Sequence, residues 1–161
     1  MRSVLSAFMA VILAGAAVAP GAMAQDGPYY QYWVGGVPLS CVANNRRIPI
    51  YLDNRLSDLA IARIEGNGFA YIALNDQGMR SAEPIVQAFV FAHECGHHLG
   101  PFLGEGWADC WAVRELRARG FIQTQSQVAS IMRAFYNSAG SQFGHLPGPA
   151  RAELIRRCAI Q

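Results

Sequence analysis

The sequence predicts an α+β domain, with N-terminal antiparallel strands followed by a helical hairpin and two further helices. Three observations carry that expectation. Up to Gly78 the apolar residues come in short blocks between breaks rich in Gly, Asn and Pro. From Pro84 onward they recur at helical spacing. Gly100, Gly120 and a loop over 140–148 then cut that second half into helix-length pieces.

The first residues stand apart. Arg2, an apolar run from Val4 to Val18 and Ala22-Met23-Ala24 have the form of a secretory leader cleaved after Ala24. Residues 25–161 are then the working domain, long enough for one core. Residues 25–36, with Gly and Pro between aromatics, read as an irregular arm. Residues 37–43 and 48–52 read as two strands around Asn44-Asn45-Arg46-Arg47, with Pro49 pushing the second to an edge. The runs 59–64 and 69–74 flank Gly66-Asn67-Gly68, the pattern of a hairpin; residues 57–63 also fit a short helix. Asn75-Asp76-Gln77-Gly78 ends the second run as a turn.

Pro84 suits the first position of a helix that runs to Leu99 and stops at Gly100-Pro101. A second helix runs from Glu105 to Arg119. Thr124-x-x-Gln127 is a capping box that opens a third, to about Ser138. Pro149 starts the last, through Cys158.

Composition excludes several classes of function. Thirteen basic residues, all Arg, stand against 11 acidic, and Arg2 belongs to the leader, so no charge favours nucleic acid. No apolar run after the leader is long enough to span a bilayer, so no membrane association is expected after cleavage. Cys41, Cys95, Cys110 and Cys158 in an exported chain suggest disulfides of open connectivity, and a periplasmic or secreted location. No C-x-x-C pair exists to form a zinc ribbon.

The chemistry concentrates at His93-Glu94-Cys95-Gly96-His97. Chance gives an H-E-x-x-H in fewer than about one shuffled chain in a hundred. His93 and His97, four apart on a helix, project from one face and can share a metal ion. Glu94 lies about 100° round the helix, within reach of a metal-bound water. Cys95 points to the opposite side, into the core. His98 points away from the metal face and reads as structural or as a rim residue. A catalytic zinc needs a third protein ligand and an open position. In an antiparallel hairpin turning at 99–104, Glu105 falls beside His97 and Asp109 beside His93. Glu105 is then the third ligand and Asp109 the hydrogen-bond acceptor that fixes His93; the reverse assignment stays open. Trp107 and Trp111 read as core packing.

His93-Glu94-x-x-His97 followed by Glu105-x-x-Ala108-Asp109 resembles the gluzincin group of zinc metallopeptidases, over residues 93–109 only. The resemblance implies a small zincin-like domain holding one Zn2+ and hydrolysing peptide or protein substrates, with Glu94 assisting the attack of a zinc-bound water. It also implies an edge strand that binds the substrate backbone, for which 69–74 is the candidate, and a distant oxyanion stabiliser, either His145 or Tyr136. The gap between His97 and Glu105 is shorter than is usual in that group, and no separate helical domain exists to close a deep cleft. Leu103 stands where a metzincin has its third His. Two other classes fit the same residues. One is a non-catalytic zinc module with His145 as fourth ligand. The other is a metal-free, disulfide-stabilised interaction protein with a degenerate zincin fold.

Overall fold

A computed structural model describes residues 28–140 and 145–160. The expected leader over 1–24 lies outside them. Two small hairpins come first. β1 (Tyr32–Val34) pairs antiparallel with β2 (Val37–Leu39), and β3 (Val42–Ala43) with β4 (Arg46–Arg47). Each turns on two residues of positive φ, Gly35-Gly36 and Asn44-Asn45, as a two-residue hairpin requires. The arm over 25–36 is therefore not irregular throughout, since its end is β1. Arg46 and Arg47 are strand rather than turn, because the tip needs only the two Asn. The run 37–43 is broken between Leu39 and Val42, so it makes two strands and not one.

A three-stranded sheet follows, in the order β5 (Ile50–Leu52), β7 (Ala70–Leu74), β6 (Ala60–Ile64). β6 and β7 form the expected hairpin, which removes the helical alternative for 57–63. β5 runs parallel to β7, so the sheet is mixed and not purely antiparallel. Pro49 lacks an N–H but offers its carbonyl to Ile72 at 3.0 Å, and β5 takes an edge. β7 is the central strand, paired on both sides, so it cannot be the edge strand expected at 69–74. That edge is β6.

Five helices complete the described residues. Residues 75–78 are not merely a turn: Asn75 caps the short helix α1 (Asp76–Ser81) by accepting from the Gly78 amide. α2 (Pro84–Leu99) is the central helix, buried along most of its circumference, as an apolar helix inside a domain must be. It packs against the sheet, α3 (Gly104–Ala118) and α4 (Gln125–Phe135). α5 (Gly148–Ala159) closes the molecule against α3 and α4. Gly96 permits the close approach of α2 and α3, because a Cβ there would lie 3.3 Å from both Ala108 Cα and the Trp111 ring. Trp107 and Trp111 stack on each other at 6.5 Å along α3. Disulfides join Cys41 to Cys95 and Cys110 to Cys158. They tie the N-terminal hairpins to α2, and α5 to α3. No helix of the described residues is long and apolar enough to cross a membrane.

Candidate metal centre

α2 and α3 run antiparallel, and the short Gly100–Leu103 link sets their register. His93 and His97 lie one turn apart on α2, and their Nε2 atoms are 3.1 Å apart. Glu105, in the first turn of α3, brings Oε2 to 3.0 Å from His93 Nε2 and 3.4 Å from His97 Nε2. Asp109, one turn later, accepts from His93 Nδ1–H at 2.8 Å. The two acids thus occupy different places: Glu105 sits with the Nε2 atoms of His93 and His97, and Asp109 sits behind His93. His145, which precedes α5, brings Nε2 to 2.7 Å from the same Glu105 oxygen. His93, Glu105 and His145 form a group that could hold a metal ion.

The donor chemistry fits a cation. His93 gives its Nδ1 proton to Asp109, so the Nε2 lone pair faces Glu105 and His97. Buried Glu105 Oε2 has three imidazole nitrogens around it, yet no hydrogen bond among the described residues. Convergent lone pairs of this kind repel unless a proton or metal sits between them. The protonation energetics agree. Burial works to lower the pKa of His93, but the hydrogen bond to Asp109, the close carboxylate of Glu105 and the charge of Glu94 outweigh it, and the pKa is raised to about 9. Burial likewise opposes ionisation of Glu105, and the imidazoles of His145, His93 and His97 hold its carboxyl well below the usual range. Asp109 is also held low, by His93 and Arg151 against its burial.

Glu94 is buried beside this cluster, and its Oε2 accepts from the Ala62 amide of β6 at 2.7 Å. The register explains the contact. Leu59 accepts from Asn75 and Glu65 donates to Phe69, so the alternation of the antiparallel ladder turns Ile61 and Arg63 to β7, and Ala60, Ala62 and Ile64 to the free edge. A cleft of about 560 Å³ runs along that edge, lined by Ala60–Ala62, His93, Glu94, His97, Glu105 and His145.

Other predicted residues fall elsewhere. Tyr136 is 56% exposed and does not line the cleft, so His145 is the one of the two oxyanion candidates that reaches it. His98 is buried and donates from Nε2 to the Tyr71 carbonyl at 3.0 Å, a link between α2 and β7. Cys95 is in a disulfide and points away from the site.

Two contributors escape the sequence reading. Arg151 clamps Asp109 with two bonds, Nε to Oδ2 at 2.9 Å and Nη2 to Oδ1 at 2.7 Å. Its guanidinium also lies 4.3 Å from the Phe135 ring centre. A signal existed: Arg151 shares its helix face with Ile155 and Cys158, and an arginine on an apolar stripe needs a buried acid. The Ala62 amide left no signal, since any residue supplies an N–H. Comparison with known family models, curated proteins and solved structures gave no match.

Proposed function

We propose that this protein is an exported zinc metallopeptidase of the gluzincin kind that cleaves peptide or protein substrates. The observation that carries the reading is the set of spacings among His93 Nε2, His97 Nε2 and Glu105 Oε2, 3.0 to 3.4 Å. A tetrahedral shell with zinc bond lengths of 2.0–2.1 Å has edges of about 3.4 Å. His93, His97 and Glu105 would hold the ion. When bound, zinc supplies a Lewis acid that polarises a carbonyl and lowers the pKa of water to about 7.

The remaining work falls to the chain. Glu94 is the general base: its Oε2 is anchored by the Ala62 amide, which leaves Oε1 to take a proton and later return it to the leaving amine. Asp109 holds His93 in the tautomer that presents Nε2. β6 offers the free backbone groups of Ala60 and Ile64 to an extended peptide. The two disulfides and the leader-like N-terminus support a periplasmic or secreted location.

Glu94→Gln tests the reading. The variant should keep its zinc and lose hydrolysis of a peptide library by about 10²–10⁴-fold. Cleavage as fast as the wild type would contradict it. A non-catalytic zinc module is the second reading, and the closeness of His145 to Glu105 favours it.

A further inference from the structure

His145 brings a third imidazole to the cluster around Glu105, where it joins His93 and Glu105 in the group that could hold a metal ion. Glu105 Oε2 is the common neighbour of three imidazole nitrogens, and His145 Nε2 is the nearest, at 2.7 Å. His93, Glu105 and His145 each offer a ligand atom to one common place. The His145 side chain, 32% exposed, packs against the site: its ring stacks on His93 with 28° between planes and 5.6 Å between centres.

Backbone packing holds it there. Gly140, at φ +84°, lies so close beneath the loop that a Cβ would come within 2.8 Å of the His145 carbonyl oxygen. A Cβ at Gly148 would overlap the Tyr136 carbonyl, and the Gly148 amide donates to Ser138 at 2.8 Å. Two close backbone approaches therefore fix the segment 145–148 against the end of α4. α5 continues from it, anchored by Arg151 on Asp109 and by Cys158 on Cys110.

We propose that His145 is a fourth metal ligand that closes the resting site, so that a substrate carbonyl or inhibitor reaches the metal only by displacing it. This inference rests on the metal-centre half of the proposed function and not on its peptidase half. It differs from an oxyanion role, in which His145 would touch substrate and never the metal.

Cobalt(II) bound to the purified protein is the probe. Three imidazole rings should give paramagnetically shifted proton resonances in the wild type, and two in His145→Ala. Added imidazole should restore the wild-type visible spectrum to that variant. Acetohydroxamate, a small chelating probe, should perturb the spectrum of His145→Ala at concentrations about tenfold or more below those the wild type needs. His145→Gln should behave as His145→Ala does. Two rings in the wild type would overturn the assignment, even if neither variant folds. A hydroxamate response that both variants leave unchanged would overturn it too. Hydrolysis is measured in parallel. Three rings with no hydrolysis by wild type or variant would remove the peptidase reading and leave the fourth ligand standing. Two rings with hydrolysis lost in His145→Ala would remove the fourth ligand and make His145 an oxyanion stabiliser.

Discussion

Asp109 joins the metal-facing cluster to the rest of the molecule, because its carboxylate receives both His93 and Arg151 in a buried place. Removing one partner of such a group is more damaging than the net worth of the pair, since a charge is left inside without compensation. Arg151→Ala should therefore lower stability by about 3–5 kcal/mol, read from urea unfolding. Arg151→Lys should recover only part, because an ammonium cannot reproduce the two-pronged contact; full recovery would mean that charge alone matters. His93 makes a second prediction. Its pKa is raised to about 9 without metal, so at pH 8 its imidazole carries a proton that a metal ion must displace. Affinity then rises with pH up to about 9 and levels above it. Calorimetry in buffers of different ionisation enthalpy should report about one proton released per ion at pH 8, and none released would contradict the assignment. His93, Glu94 and His97 were legible because their relation is local, fixed by helix geometry alone. Glu105 and Asp109 were legible because a short link sets the hairpin register. Arg151 lies 42 residues from Asp109 and its pairing depends on tertiary packing.

Elements differ in how much of themselves the sequence declares. α2, α3 and α4 announce their ends with Pro84, Gly100, Gly120 and the Thr124 capping box, and their periodicity is long enough to read. α1 does not. Six residues give no periodic stripe, and Asn75 caps a helix with the same side chain that would end a turn. β1 is likewise short, three residues between the Pro28-containing arm and Gly35. The edge position of β6 was hidden for another reason: strand order is set by which neighbours pair, and both runs of a hairpin look alike in sequence. The disulfides act at this scale. Cys110 and Cys158 hold α5, and with it Arg151, on α3. Replacing both by Ser should cost about 2–5 kcal/mol and also weaken metal binding. The Cys41/Cys95 double variant should lose comparable stability with the larger effect at the N-terminal hairpins, followed by hydrogen exchange. Equal metal affinity in both double variants would show that α5 does not support the site.

At the scale of the whole molecule, β-rich and helical halves meet along α2, and the free edge of β6 lies along it beside Glu94. The sequence foretold both halves and offered His145 beside Tyr136 as a site residue, but not the contact of β6 with Glu94 nor which of the two residues would reach Glu105. Those closures are long-range, and nothing local encodes them. They are also what makes a cluster of donors into a cleft with a buried carboxylate and a backbone edge. The central claim is that His93, His97 and Glu105 hold one zinc ion. The most direct measurement is the metal content of the purified protein, dialysed against zinc and then metal-free buffer, beside Glu105→Ala and Asp109→Ala. One zinc per wild-type chain, lost in Glu105→Ala and weakened about 10–100-fold in affinity in Asp109→Ala, is the predicted result. No zinc in the wild type, or full retention in Glu105→Ala, would contradict it.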